Sequence, residues 1–259
     1  MQMENLVNFL HQLLDLSRDI IRPYFNNSGL KVETKEDATP VTLADREAEL
    51  AIREAIRQQH PEHGIIGEEF GNEREDAEYV WVLDPIDGTK SFITGVPLFG
   101  TLICLLRNGE PILGAIDQPI LGQRMIGDGT TTTLNGKPVR VREDVPLEDA
   151  VLLTTDPLEP GRLRDPAGWD SLASRVRLCR TWGDCYGYLL MASGRADIMV
   201  DPIVAKWDFL PLIPIVRGAG GVITDWEGNP PLEGDSIVAA PAGIHGQILQ
   251  ILNPEETIL

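Results

Sequence analysis

Hydrophobic residues recur at helical spacing near the start of the chain. Residues 4–21 place leucine, phenylalanine and isoleucine three or four positions apart, which predicts an amphipathic helix. Thr42-Leu-Ala-Asp45 has the spacing of a capping box and predicts a second helix that ends near His60. Short apolar runs then predict strands over residues 63–67, 79–84, 98–107, 111–117 and 123–127, and Asn135-Gly136 is typical of a hairpin turn.

The pattern changes after about residue 146, where predicted strands and helices alternate. The strands are expected over residues 151–154, 197–200 and 236–240, and the helices over residues 170–175, 183–193, 207–218 and 243–252. The sequence therefore predicts an α+β N-terminal subdomain over residues 1–145. An α/β C-terminal subdomain is expected over residues 146–259.

The 259 residues carry a formal charge of −18, from 22 basic and 40 acidic side chains. A field of that sign disfavours nucleic acid and anionic membranes as partners. Any anionic substrate would require bound cations that reverse the field locally. No apolar run approaches the roughly 18 residues that span a bilayer, and the first residues lack the basic and apolar regions of a signal peptide. A cytoplasmic protein is expected.

Three cysteines, Cys104, Cys179 and Cys185, form an odd set without a C-x-x-C pair. This argues against a disulfide framework and fits a reducing compartment. None of them is followed six positions later by arginine, which excludes the cysteine-nucleophile route to phosphate ester cleavage. The four histidines lie outside every motif below, and we interpret them as solvated or capping residues.

The stretch from Trp81 to Lys90 contains the densest candidate chemistry. An apolar strand leads into Asp84 and Asp87, on a turn stiffened by Pro85, and a Gly-Thr pair follows. Carboxylates at a strand end can face one point, and Mg²⁺ prefers such oxygen ligands. The N–H groups after Gly88 could point at a phosphate. The alternative is that both aspartates only cap a turn.

Two further acidic positions strengthen the metal hypothesis. Glu68 and Glu69 follow the apolar stretch that ends at Gly67, and Asp208 begins a long apolar segment. Taken separately, Glu68 could be a solvated loop acid and Asp208 a helix N-cap. Their occurrence together with the acids of the Trp81–Lys90 stretch favours a metal site.

These motifs resemble those of the inositol-monophosphatase-like, magnesium-dependent phosphatases. The G-E-E, D-P-I-D-G-T and W-D motifs of that family stand at residues 67–69, 84–89 and 207–208. Residues 40–45 resemble its earlier threonine and aspartate motif, and residues 217–221 its glycine-rich segment. The resemblance spans residues 4–252. It implies a five-layered α-β-α-β-α sandwich of the inositol monophosphatase and fructose-1,6-bisphosphatase type, and a homodimer.

Within the family, the histidinol-phosphatase branch of histidine biosynthesis looks most similar. The matching stretches are residues 87–95, 132–140 and 183–188. The chain departs from the family at residues 125–133, where family members often carry a more basic or more varied loop. The alternatives are an inositol-1-monophosphatase, a broad sugar-phosphate or adenosine-bisphosphate phosphatase, and a phospholigand-binding protein without turnover. The last alternative is disfavoured because every ligand position is filled.

The resemblance implies roles for individual residues. Glu68, Asp84 and the Ile86 carbonyl are expected to hold one Mg²⁺, and Asp84, Asp87 and Asp208 a second. Glu68 would also contact a third ion, so that two to three Mg²⁺ bind per subunit. The side chains of Asp45 and Thr89 are expected to polarise the attacking water, and Glu68 is expected to contribute to catalysis through the metals that it holds. The N–H groups of Gly88 and Thr89 are expected to bind the phosphate. Direct attack by water is expected, because the second acid of the motif follows the first by three residues and the D-x-D signature of aspartate-nucleophile phosphatases is absent.

Two acids outside the metal motifs are expected to read the substrate. Asp184 opens the predicted helix over residues 183–193, and Asp201 ends a short strand. A carboxylate at either position could bind the ammonium or imidazole group of histidinol phosphate. The alternatives are a first-turn acid that interacts with its helix dipole for Asp184, and a turn residue before Pro202 for Asp201.

Overall fold

The computed structural model describes residues 3–27, 29, 31–34 and 40–254. The helices are α1 Met3–Ile21, α2 Leu43–Gln59, α3 Thr89–Ile93, α4 Glu159–Leu163, α5 Pro166–Arg175, α6 Asp184–Ala192, α7 Lys206–Phe209, α8 Leu212–Gly218 and α9 Ala242–Leu252. The strands are β1 Val32–Thr34, β2 Pro40–Thr42, β3 Gly64–Gly67, β4 Gly71–Glu73, β5 Tyr79–Asp87, β6 Gly100–Arg107, β7 Glu110–Gln118, β8 Gln123–Gly127, β9 Thr132–Leu134, β10 Lys137–Val139, β11 Val151–Leu153, β12 Leu178–Arg180, β13 Ile198–Asp201, β14 Gly221–Thr224 and β15 Ile237–Pro241.

The strands form one large sheet, one smaller sheet and a short ribbon of β1 and β2. The large sheet has the order β10-β9-β8-β7-β6-β5-β3-β4 and is antiparallel except between β3 and β5. The smaller sheet has the order β12-β11-β13-β15-β14. Its first three strands are parallel, and the remaining pairs are antiparallel.

Alternating side chains of β5 separate two apolar layers. Trp81 and Leu83 pack against α1 and α2 on one face, and Val80 and Val82 pack against α6, α7 and α8 on the other. The smaller sheet covers the far side of these three helices, and α5 and α9 cover its outer face. The layers therefore run α-β-α-β-α, and the predicted five-layered sandwich is confirmed.

The predicted hairpin and capping box are also confirmed. Asn135 and Gly136 have φ angles of 50° and 74°, as a two-residue turn between β9 and β10 requires. Thr42 and Asp45 bond reciprocally at the start of α2. The division of the chain near residue 146 stays a prediction. The largest apolar cluster includes residues from both halves, so this cluster does not mark a boundary between them.

The single helix predicted over residues 207–218 is wrong, because the structure divides it into α7 and α8. Leu210 and Pro211 keep helical dihedral angles. Pro211 and Pro214 have no N–H group, so two of the hydrogen bonds that would join the two helices cannot form. The sequence patterns also missed several short elements, namely β1, β2, β4, β12, β14 and α4. Within the described residues, no helix combines the length and apolar character that crossing a bilayer requires.

Candidate metal centre and adjoining cavity

A bulge at the end of β5 brings two aspartates to the same side of the sheet. Asp84 pairs with Leu102 of β6 and Asp87 pairs with Gly100, so β5 contains one residue more than its partner here. Regular alternation would place residues 84 and 87 on opposite faces, and the extra residue removes that separation. The Ile86 N–H donates to Asp84 Oδ1 over 3.0 Å and stabilises the bend.

Asp208 reaches the same point from the first turn of α7. Its Oδ2 accepts a hydrogen bond from the Ala205 N–H over 3.0 Å. Carboxylate oxygens of Asp84, Asp87 and Asp208 all lie within 4.8 Å of one another. The structure therefore brings together three of the predicted metal ligands from two distant parts of the chain.

Glu68 lies close enough to act electrostatically on this cluster. Its N–H donates to the Leu83 carbonyl over 3.2 Å, which holds the turn after β3 against β5. Burial raises the pKa of Asp84 well above its usual value, and the charges of Glu68, Asp87 and Asp208 act in the same direction. Burial and the charges of Asp184 and Asp208 likewise raise the pKa of Asp87.

The donor set of this cluster fits a hard divalent cation. Among the described residues, no lysine or arginine forms an ion pair with Asp84, Asp87 or Asp208. Burial is the main cause that raises the pKa of Asp208 to about 7. Clustered carboxylates without a cationic partner repel one another, and a metal ion relieves that repulsion. Because the donors are oxygen atoms, they favour magnesium, calcium or manganese over softer metals.

The predicted water-activating residues lie in separate hydrogen-bond networks. Asp45 is buried, and its Oδ2 accepts bonds from the Thr42 N–H over 2.9 Å and the Thr42 hydroxyl over 2.6 Å. Burial raises the pKa of Asp45 to about 6. The Thr89 hydroxyl donates to the Ile86 carbonyl over 3.0 Å. Among the described residues, no hydrogen bond joins Asp45 to Thr89 directly.

The backbone at Gly88 requires glycine. Its φ is 86°, and an added Cβ would lie 2.9 Å from the Leu98 carbonyl oxygen and 3.0 Å from Asp184 Oδ2. Asp184 therefore lies directly over the turn that the sequence assigns to phosphate binding.

A cavity of about 110 Å³ adjoins the acidic cluster. Asp87 and Asp208 line one side, and both predicted substrate-reading acids, Asp184 and Asp201, line it as well. Among the described residues, no lysine or arginine lines this cavity. A larger cavity of about 490 Å³ lies between α5 and α9, but its lining contains none of the predicted site residues.

Asp201 is held by donors from two elements. Its carboxylate accepts bonds from the Thr155 N–H over 2.9 Å and from the Tyr188 hydroxyl over 2.8 Å. Burial nevertheless raises the pKa of Asp201 to about 7. Burial also raises the pKa of Asp184 to about 6, and nearby Lys90 opposes that rise.

Sequence reasoning missed several residues of the cavity wall, including Thr155, Glu159 and Tyr188. Tyr188 lies inside a helix that reads as ordinary core. Glu159 lies among prolines and glycine in a segment that reads as a solvated loop. No local pattern distinguishes such residues from surface or core positions.

A second acid and histidine cluster, formed by His60, Glu62 and His63, lacks the geometry of a metal site. The two imidazole rings stack in parallel at 4.5 Å, whereas a shared ion would have to lie in both ring planes. The Trp81 indole N–H donates to His63 Nδ1 over 3.0 Å, so the neutral ring carries its proton on Nε2. Two of the histidines interpreted as solvated or capping, His63 and His245, are in fact buried.

The chain belongs to the inositol monophosphatase family, whose family model matches residues 2–256. It is a phosphatase of that family, a phosphoric monoester hydrolase, and the resemblance read from the motifs is confirmed. It is 47% identical over 220 residues to the bifunctional phosphatase IMPL2, chloroplastic, of Arabidopsis thaliana, an alignment that covers 84% of this chain and 63% of that protein.

Two other relatives match over most of both chains. The histidinol-phosphatase of Chlorobaculum parvum is 40% identical over 234 residues, covering 88% of this chain and 89% of the relative. The solved structure of an inositol monophosphatase from Zymomonas mobilis matches with a TM-score of 0.85 at 38% identity, covering 98% of this chain and 99% of that one.

Proposed function

We propose that this protein is a Mg²⁺-dependent histidinol-phosphatase, which converts L-histidinol phosphate and water into L-histidinol and phosphate. The observation that carries the proposal is the acidic cavity beside the metal cluster. Its wall holds Glu159, Asp184 and Asp201 in addition to the metal-facing acids, and no described basic residue. Such a wall suits a leaving group with an ammonium and an imidazole. The similarity to the Chlorobaculum parvum histidinol-phosphatase supports the same substrate.

We assign the metal ligands as the sequence motifs suggest. Glu68, Asp84 and the Ile86 carbonyl hold the first of two to three Mg²⁺, and Asp84, Asp87 and Asp208 hold the second. When bound, the ions neutralise the phosphate and stabilise the attacking and leaving oxygens of an in-line displacement.

The chain's own groups orient the reactants. The side chains of Asp45 and Thr89 accept hydrogen bonds from the attacking water and align its oxygen with phosphorus. The N–H groups of Gly88 and Thr89 donate to phosphate oxygens, since Gly88 exposes the backbone at the start of α3. Asp184 and Asp201 bind the leaving alcohol through its cationic groups.

A phosphate-release assay over a substrate panel tests the proposal. Histidinol phosphate, inositol 1-phosphate, fructose 1,6-bisphosphate, adenosine 3′,5′-bisphosphate and p-nitrophenyl phosphate are compared with Mg²⁺ and with EDTA. We expect the highest kcat/KM for histidinol phosphate with Mg²⁺. We expect no phosphate release from any substrate with EDTA. Equal or faster turnover of inositol 1-phosphate would favour the second candidate, an inositol-1-monophosphatase, which the similarity to the Zymomonas mobilis structure supports.

Variants of the two substrate-reading acids test the role of the cavity. Asp184→Asn and Asp201→Asn should each lower kcat/KM for histidinol phosphate by roughly 10–150-fold, the worth of a charged hydrogen bond of about 1.5–3 kcal/mol. p-Nitrophenyl phosphate, whose leaving group carries no cationic group, serves as the control and should lose much less. Equal losses on both substrates would assign these acids to support of the fold.

We further propose a cytoplasmic homodimer that acts on small phosphorylated metabolites. Several exposed apolar side chains, Leu158, Leu163, Trp182 and Ile203, lie in segments at or near the cavity wall and would be covered by a second copy. Light scattering coupled to size-exclusion chromatography should give twice the chain mass. A monomer at all protein concentrations would contradict the proposal.

A further inference from the structure

Helix α2 carries a buried ion pair between two residues that are not among the assigned metal ligands. Asp45, Glu49 and Arg53 are four residues apart and therefore lie on one face of the helix. All three side chains are almost completely buried, and Glu49 Oε1 accepts the Arg53 Nε–H over 2.7 Å. Because burying charges costs free energy, such a pair is weak support for stability alone.

The hydrogen bonds of Glu49 run to the turn that carries Glu68. Glu49 Oε2 accepts the Glu69 N–H over 2.8 Å, and Oε1 accepts the Phe70 N–H over 3.2 Å. The two backbone donors directly after Glu68 are therefore both bound to one carboxylate.

Arg53 holds the other side of the same turn. Its guanidinium donates to the Gly71 carbonyl, and also to Glu73 Oε1 over 2.7 Å. The turn lies directly on the pair, because a Cβ added at Gly67 would lie 2.1 Å from Glu49 Oε1 and 2.6 Å from Arg53 Nη2. Glu49 and Arg53 thus hold this turn from both sides, in addition to the pairing of β3 with β4.

The same helix also positions Asp45. Four residues of helix correspond to a rise of about 6 Å, so α2 sets the separation between Asp45 and the group that holds the turn. The charge of Glu68 contributes to the raised pKa of Asp45, although burial is the larger cause. The two acids are therefore close enough to interact, and their relative position depends on α2.

We propose that Glu49, paired with Arg53, is a positioning residue that holds the Glu68 carboxylate at the metal centre. This inference rests on the proposed function, because it takes Glu68 as a metal ligand. Loss of the pair should weaken Mg²⁺ binding more than it lowers kcat at saturating Mg²⁺, since the three aspartates of the centre remain in place.

The test uses Glu49→Gln, which keeps the shape of the side chain but presents an amide N–H₂ where the carboxylate accepts bonds. In this variant the buried positive charge of Arg53 loses its ion pair with Glu49. The double variant Glu49→Gln/Arg53→Met removes that charge as well. Glu54→Gln is the matched control, since Glu54 is an exposed acid of the same helix.

Two measurements on the whole chain, residues 1–259, are needed. Hydrogen–deuterium exchange in metal-free protein should show faster exchange at the Glu69 and Phe70 amides in both variants but not in the control. Isothermal titration with Mg²⁺ alone should show affinity lowered by roughly 10–100-fold, the usual effect of residues that orient metal ligands.

Unchanged Mg²⁺ affinity in either folded variant would overturn the inference, and so would unchanged exchange of both amides. The wild type could bind Mg²⁺ and differ from the variants in these two measurements, and yet fail to hydrolyse histidinol phosphate. That result would leave the inference standing and remove only the proposed substrate. Absence of Mg²⁺ binding by the wild type would instead overturn the proposed metal centre.

Discussion

Replacing Asp208 with asparagine should stabilise the metal-free protein while weakening its stabilisation by Mg²⁺. Asp208 faces Asp84 and Asp87 without a cationic partner among the described residues. Burial raises its pKa to about 7. Asparagine has nearly the same shape as the protonated acid, and its carbonyl can still accept the Ala205 N–H.

The size and sign of the effect follow from the pKa. A carboxyl whose pKa rises on folding contributes stability below its unfolded pKa, and loses that contribution as the pH rises through its folded pKa. A rise from 3.8 to about 7 corresponds to about 4 kcal/mol at pH 8, at about 1.4 kcal/mol per pKa unit. Asp208 is only half-buried and shares its interactions with other acids, so we expect a gain of about 1–3 kcal/mol.

Thermal unfolding followed by circular dichroism measures this gain. In EDTA at pH 8, Asp208→Asn should raise Tm by roughly 2–12 °C, at about 2–4 °C per kcal/mol for a chain of this size. The gain should shrink at pH 5, where the wild-type acid is largely protonated. Saturating Mg²⁺ should reverse the order, because a ligand at 100 times its Kd stabilises by about 2.7 kcal/mol and the variant lacks a ligand.

Asp225→Asn is the control for this substitution. Asp225 is also buried, but its carboxylate accepts hydrogen bonds from the N–H groups of Glu227 and Asn229 and from the Asn229 side chain. The same change should therefore lower Tm at this position. A lower Tm for metal-free Asp208→Asn at pH 8 would refute the argument that repulsion and desolvation dominate at the cluster.

Three further predictions concern activity and pH. Asp84→Asn should remove activity with little loss of fold, and turnover above a tenth of wild type at saturating Mg²⁺ would contradict its role as a shared ligand. Thr89→Ala should lower kcat by about 10²–10⁴-fold while Mg²⁺ still binds in calorimetry; a single turnover in ¹⁸O-water should place one label in the phosphate, and a trapped phosphoenzyme would contradict direct attack by water. The Tm of the metal-free wild type should fall from pH 5 to pH 8, since Asp201 and Asp208 both titrate near 7, and an unchanged or rising Tm would contradict those raised pKa values.

Local patterns were sufficient where neighbouring residues determine the structure. The capping box of α2, the turn at Asn135-Gly136 and the apolar run of β5 depend on hydrogen bonds and side chains within a few positions. The family motifs also identified the acids that the structure brings together. Local patterns failed at residues 207–218, where two prolines remove helical hydrogen bonds without changing the apolar periodicity.

The way in which these segments meet depends on packing between distant parts of the chain. Helix α8 lies against glycines of the large sheet: a Cβ at Gly114 would lie 1.9 Å from the Pro211 carbonyl oxygen, and one at Gly127 would lie 2.5 Å from Ile215 Cα. Because α7 directly precedes α8 in the chain, this close packing keeps α7 near the large sheet. Asp208 of α7 therefore lies near the end of β5. Local sequence patterns therefore identified the candidate metal ligands and most of the longer helices and strands. The convergence of those residues, and the cavity wall at Glu159, depend on contacts between distant segments, which no local spacing encodes.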